Sequence, residues 1–419
     1  MTITIECLGA SREVGRSAFL IETDRRFIAD YGMKIFDQSG MPTYPAMTDL
    51  NLDFAILSHA HMDHSGAWPA LYNRNANSNI RWYATPPTKD ICELLWKDSM
   101  KIMGDGLPYE LNDFKRALKN FASLPYKQRL TMGNTNISMT DAGHISGSAM
   151  TEIEYQDKVL LYTGDLKCEE TFMHSGAKFV KDVDYLIIEE TYALKEHPPR
   201  IEAEHKLMDH VEETIDNGGQ ALFPAFALGR TQELISLIRH YNKDVNIFVD
   251  GMGKDMSRIY VKHPSYIKDA DKFRKQLNTV RIVDGMRDKK EAVAEPGVII
   301  STAGMLNGGP MLNYLFNAHP KSKVIFTGYC VEGTNGALLQ KNGCILKDEQ
   351  ELHVDLPIEY IDLSAHAGRS DILNFIRNAN PEKTILVHGD STEKFAAELK
   401  EQHGFEALAP ALGDKIILE

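Results

Sequence analysis

Three histidines and an aspartate, His59, His61, Asp63 and His64, fall within six positions of "SHAHMDHSGAW" (residues 58–68), directly after the apolar run "FAIL". Titratable side chains are costly to bury unless they are paired or bound to a metal, so four of them at the mouth of a buried strand need something to hold. Along an extended segment residues two apart share a face, which sets His59 and His61 side by side toward one ion. Asp63 and His64 follow as the chain turns into "SGAWPAL" and can reach a second. Imidazole with carboxylate and no thiolate suits zinc, and the same donors accommodate manganese or iron. The bland reading is a solvated polar loop; the apolar strand leading straight into the cluster argues against it.

The same pattern recurs far along the chain. His144 closes "MTDAGH", Asp165 closes "LLYTGD" and His388 sits in "TILVHG", each after an apolar run and beside a glycine that lets backbone approach a ligand closely. Asp30 after "RFIA", Glu189 after "YLII" and His366 in "DLSAHAGRSD" extend the series. Any one of these alone reads as a satisfied loop residue. Together with the first cluster they read as one site assembled from many strand ends.

The rest of the chain limits what that site can serve. Its 419 residues exceed a single typical domain. No apolar run approaches the roughly 20 residues that span a bilayer, and the N-terminal "MTITIECLGASREVG" lacks the order of a signal peptide, so no membrane partner and a cytoplasmic location are expected. The five cysteines are scattered and never form a CxxC pair, so neither a thiolate zinc site nor a disulfide framework is indicated. A net charge of −13 argues against indiscriminate nucleic-acid binding. Residues 195–350 nevertheless carry 21 Lys and Arg against 20 Asp and Glu, so the acid lies elsewhere, where bound cations can locally reverse the field.

Short β-rich runs such as "SAFLIE", "DFAILS" and "KVLLYTG" fill the first half, with helix-like "TKDICELLWKDSMKIM" and "LNDFKRALKNFA" between them. From about residue 199 strand and helix alternate, as in a parallel α/β unit, and short strands return after about 350. The simplest organisation is one α/β domain, 1–194 and 351–419, interrupted by a second, 195–350. "DGMGKDM" is not a phosphate loop, because Phe248 stands where the first glycine is needed and Asp255 where Ser or Thr is.

The succession "HxHxDH", a distant histidine and then an aspartate resembles the metallo-β-lactamase superfamily. Glu189 in "EETY", His366 in "SAHAG" and His388 in "VHGD" are similar to the three additional motifs of its β-CASP nucleases, as are the segments "PAFALGRTQEL", "STAGMLNGGP" and "GYCVEGTNG". The chain most resembles the short archaeal and bacterial relatives of the cleavage-and-polyadenylation nuclease subunit. It departs from the family at residues 13–17, "EVGRS" for the usual "EVTGS", and at Glu190, where serine is usual.

The resemblance implies an αββα sandwich with an inserted β-CASP α/β domain, and two Zn2+ per chain: His59, His61 and His144 on one, Asp63, His64 and His388 on the other, Asp165 bridging. Asp30 would orient a ligand from one layer behind. His366 would be the general acid for the leaving ribose oxygen, with Glu189 accepting its other N–H and fixing its tautomer. Ser364, Ala365, Gly368 and Arg230 are candidate phosphate contacts, although Arg230 serves equally as a structural ion pair. The implied activity is a zinc-dependent ribonuclease acting on single-stranded RNA, in a homodimer, with substrate in the cleft between the domains. A histidine at position 388 accompanies RNA substrates in this family, where the DNA-processing branch has valine. The competing classes are a thioesterase or lactonase with the same ligands, which has no need of Glu189, His366 or a large insertion, and a non-catalytic RNA-binding subunit, which would have lost ligands.

Overall fold

Runs of β-branched and aromatic residues pair into two seven-stranded sheets and one of six in a computed structural model that describes residues 2–35, 41–46, 50–73 and 79–419. The chain divides into two units. Met1–Glu170, Gly176–Glu196 and His366–Glu419 form the first, Thr171–Ser175 and His197–Ala365 the second.

In the first unit one sheet runs Lys415–Leu418, Ile3–Cys7, Phe19–Glu22, Arg26–Ala29, Phe54–Ile56, Arg81–Ala84, Phe121–Ser123. The other runs Ala407–Leu408, Lys383–Val387, Tyr185–Glu189, Lys158–Tyr162, Ala149–Tyr155, Thr135–Asp141, Arg129–Met132. Their facing sides share one core: Ile5, Phe19, Phe27 and Phe54 from the first meet Ile137, Ile153, Leu160 and Ile187 from the second. Strand side chains alternate, so Tyr185 and Ile187 point into that core while Leu186 and Ile188 point outward, against Phe375, Ile376, Phe395 and Leu399 of the helices Arg369–Ala379 and Thr392–His403. Beside the first sheet Trp82 packs against Trp68, Trp96 and Phe121 with ring centroids 5.3, 5.9 and 4.9 Å away, and its indole N–H donates to the Ala117 carbonyl at 2.6 Å. The layers are those of the αββα sandwich.

One element differs from the sequence reading. "LNDFKRALKNFA" reads as a single helix, but the helix ends at Lys119 and Phe121–Ser123 becomes an edge strand parallel to Arg81–Ala84. Packing the partly buried Phe121 ring against Trp82 outweighs one more helical turn at an asparagine end.

The second unit is a parallel sheet in the order Arg281–Val283, Ile247–Asp250, Gly297–Ser301, Gln220–Pro224, Lys323–Phe326, Ile358–Tyr360. Helices such as Arg230–Tyr241 and Gly253–Lys262 make the crossovers, and Arg200–Asp216 leads into the strand Gln220–Pro224. Pairing of Ile358–Tyr360 with Lys323–Phe326 keeps the chain in this unit until residue 365. No helix among the described residues is long and apolar enough to cross a membrane.

The Trp82 cluster makes a direct test of the outer layer. Trp82→Ala is expected to lower unfolding stability by about 3–5 kcal/mol, read as an earlier denaturant midpoint in circular dichroism.

Candidate metal centre

Strand ends of both sheets in the first unit deliver the titratable residues to one place. His59 follows Phe54–Ile56, and the next turn, a four-residue helix Met62–Ser65, carries Asp63 and His64. His144 lies in the loop after Thr135–Asp141, Asp165 in the loop after Lys158–Tyr162, and Glu189 ends its own strand. His388 directly follows Lys383–Val387 with a φ of 54°, a left-handed backbone that turns its ring back toward the others.

Ligand atoms of His59, His61, His144 and Asp165 lie within 4.8 Å of one another, and so do those of Asp63, His64, Asp165 and His388. Asp165 belongs to both groups, one oxygen to each. Its Oδ2 faces His59 Nε2 at 3.4 Å and His144 Nε2 at 3.5 Å, and its Oδ1 faces His64 Nε2 at 3.1 Å and His388 Nδ1 at 3.6 Å. His61 Nδ1 and His144 Nε2 are 2.9 Å apart, and His388 Nε2 is 3.1 Å from Asp63 Oδ2.

This donor set fits metal ions. His59 Nε2 and Asp165 Oδ1 are buried without a hydrogen-bond partner, a condition that costs about 1–3 kcal/mol per group unless something else satisfies them. Burial, reinforced by the His59 ring, pushes His61 down to about 3, and burial with His366 holds His144 well below its ordinary value, so both are neutral and offer lone pairs. Burial works against charge at Asp165 too, but His64 and His388 outweigh it and keep the carboxyl ionised. The same attraction, led by Asp165, raises His64 and His388 against their burial. Those two protons are what a cation displaces on binding.

Behind the cluster lies Asp30, fully buried at a φ of 60°. Its Oδ1 accepts the Ser58 backbone N–H at 2.7 Å; its Oδ2 accepts Ser58 Oγ at 2.7 Å, His64 Nδ1 at 2.6 Å and the Tyr162 hydroxyl at 2.5 Å. Holding a proton on Nδ1 of His64 leaves Nε2 as the ligand atom. Next to Asp30, Gly32 lies flat on the ligand turn: a Cβ there would sit 1.8 Å from the Asp63 carbonyl oxygen and 2.6 Å from His64 N. Backbone bonds from Ser17 N to Asp63 O, Tyr31 N to His64 O and Met33 N to Met62 O clamp that turn.

His366 stands at the rim, its side chain 21% exposed where those of His59 and His144 are 1%. Its Nδ1 lies 3.1 and 3.0 Å from the two Glu189 oxygens, and Glu189 Oε1 also accepts the Leu166 N–H at 2.6 Å. Burial disfavours the imidazolium, but the Glu189 and Asp165 carboxylates prevail and lift His366 to about 9. Glu189 and His366 come within ligand distance of Asp165, yet the carboxylate is already bonded to two donors.

The expected phosphate contacts divide between the units. Arg230 donates from Nη1 to the Leu363 carbonyl at 2.5 Å, which brings it beside Ser364 and Ala365 in the second unit; Gly368 is the residue before the helix Arg369–Ala379 in the first. Sequence reasoning missed Tyr162, Ser58 and Gly32. The signal for Tyr162 was present, a lone hydroxyl-bearing aromatic three residues before Asp165, but it reads as a core ring.

Fold and site together define a metal-dependent hydrolase of the metallo-β-lactamase type. A metallo-beta-lactamase superfamily domain matches residues 20–186, a Beta-Casp domain 231–339 and a Zn-dependent metallo-hydrolase RNA specificity domain 351–410. The chain is 34% identical to the Probable RNase MJ4 of Methanocaldococcus jannaschii, over 97% of this chain and 98% of that one. It is 32% identical to the RNase aCSPSF2 of Saccharolobus solfataricus, over 100% and 86%, and 31% identical to the transcription termination factor FttA of Methanothermobacter thermautotrophicus, over 97% and 70%. A crystal structure from Enterococcus faecalis, of a protein of unknown function, shares the fold with a TM-score of 0.65 at 15% identity, covering both chains fully. The protein belongs to the β-CASP family of the metallo-β-lactamase superfamily.

Three substitutions probe the support of the centre without touching a ligand-bearing residue. Asp30→Ala is expected to weaken metal binding about 10–100-fold, with Tyr162→Phe weakening it less, both read by competition with a chromophoric chelator. Gly32→Ala displaces the Asp63–His64 turn, so the purified variant should carry less metal than the wild type by elemental analysis.

Proposed function

We propose that the protein is a zinc-dependent ribonuclease that hydrolyses phosphodiester bonds of single-stranded RNA in the cytoplasm. The observation that carries this reading is the division of Asp165, each oxygen facing its own set of imidazoles. One Zn2+ would be held by His59, His61 and His144, a second by Asp63, His64 and His388, with Asp165 common to both; the donors also suit Mn2+ or Fe. Such a pair supplies Lewis acidity at phosphorus and lowers the pKa of water toward neutrality.

The chain's own residues do the rest. Asp30 holds His64 in the tautomer that presents Nε2, and Tyr162 and Ser58 hold Asp30. His366, fixed by Glu189 on Nδ1 and charged near neutral pH, gives the Nε2 proton to the departing ribose oxygen. Arg230, kept cationic although burial and Arg200 lower it to about 10, and Ser364 donate to phosphate oxygens. RNA as substrate is supported by the RNA specificity match over 351–410 and by relatives named as RNases. Family likeness further supports a homodimer, which a solution mass measurement tests.

His366→Ala is expected to slow cleavage of an end-labelled RNA by about 10²–10⁴-fold while zinc content stays at the wild-type value; loss of metal in that variant would remove the assigned role. Stripping metal with a chelator should abolish cleavage, and adding zinc back should restore it. On matched single strands RNA should be cut faster than DNA; the reverse preference would make this a DNA-processing enzyme.

A further inference from the structure

Parallel sheets bind ligands beyond the carboxyl ends of their strands, where loops are free to diverge. In the second unit three neighbouring strands, Gln220–Pro224, Lys323–Phe326 and Ile358–Tyr360, each carry an aromatic ring at that end. Phe226 comes two residues after the first strand, Tyr329 three after the second, and Tyr360 closes the third. The rings are 39%, 57% and 40% exposed, although the many apolar side chains buried elsewhere show how readily this chain covers apolar surface. Of the four large exposed aromatics among the described residues of this unit, these are three, and the fourth is Phe316. Single exposed rings are ordinary, but three at the same end of three adjacent strands are not.

Two further features bear on what lies against them. Glycines flank the Phe226 ring: a Cβ on Gly304 would sit 3.4 Å from its Cδ1, and a Cβ on Gly328 would lie 3.9 Å from both its Cε2 and Arg230 Nη2. The ring therefore has no neighbouring side chain from either glycine, and a guanidinium lies just beyond one of them. Arg230 Nη1 also donates to the Leu363 carbonyl at 2.5 Å, three residues beyond Tyr360. Alternation of flat apolar faces with a fixed cation matches a single-stranded nucleic acid, whose bases stack while its phosphates need donors. Peptide recognition needs pockets for side chains, whereas these partly exposed rings offer flat faces.

We propose that Phe226, Tyr329 and Tyr360 form a stacking platform for unpaired RNA bases, with Arg230 holding the phosphate between them. The platform rests on the ribonuclease reading and deepens it, because it makes unpaired bases, and not only the sugar-phosphate chain, part of what the enzyme recognises. A base in a duplex already has both faces covered and gains nothing here, so the platform selects single strands.

Fluorescence anisotropy on the metal-loaded full chain tests this, using a labelled single-stranded RNA with cleavage-resistant phosphorothioate linkages and the same strand with abasic positions. The wild type is expected to bind the intact strand about tenfold more tightly than the abasic one. Phe226→Ala, Tyr329→Ala and Tyr360→Ala should each lower affinity for the intact strand and leave the abasic strand nearly unchanged. Phe226→Trp should retain wild-type discrimination, which separates lost stacking from a damaged fold, and Arg230→Ala should weaken both strands alike. Alanine variants that discriminate as the wild type does, or that weaken both strands equally, would overturn the platform and leave the ribonuclease reading intact. A wild-type protein that binds neither strand would overturn both.

Discussion

Asp165 is the charge around which the first unit is arranged. An ionised carboxylate at the end of a core strand is intolerable alone, and here it is met on two sides by four imidazoles from three separate loops. Each of those loops begins where a strand of the sandwich ends. The sheets must therefore pair in one register for the imidazoles to converge, because a one-residue slip would turn every inward side chain out. Alternation along Tyr185–Glu189, inward at Tyr185 and Ile187 and outward at Leu186 and Ile188, shows how firmly the two faces are distinguished.

Asp30 extends this arrangement inward. Four donors on one buried carboxylate leave it no freedom, and through His64 that rigidity reaches the ligand atoms. The backbone around Gly32 does the same for the Asp63–His64 turn by contact alone. Rim and interior thus differ in kind: Asp30 is fixed by several partners and fully buried, whereas His366, held by Glu189 through Nδ1, keeps a side chain that is 21% exposed. This contrast suits ligands that must not move and a proton donor that must meet substrate.

Much of this was legible in the chain itself. The cluster His59–His64 and the later His144, Asp165, Glu189 and His388 announce themselves because a polar, titratable residue closing an apolar strand is rare without a reason. The layered sandwich and the parallel insertion followed from strand rhythm and family likeness together. Partners across the sheet were not legible. A strand at 358–360 looks the same in sequence whether it joins the sandwich or, as found, pairs with Lys323–Phe326. Tyr162 and Gly32 were hidden for a related reason, since a buried tyrosine and a loop glycine gain their meaning only from what touches them. The helix that stops at Lys119 illustrates the same limit, a local preference overruled by the Trp82 ring.

The placement of His388 has a consequence for how such a protein is made. The residue completes the second ligand set only after Lys383–Val387 has inserted between Tyr185–Glu189 and Ala407–Leu408, and the first sheet gains its edge only with Lys415–Leu418. Between Asp165 and His388 the chain runs through the whole of the second unit, Thr171–Ser175 and His197–Ala365. The proposed RNA-cutting centre is therefore closed by a strand that the chain reaches only after it has passed through a separate unit and returned.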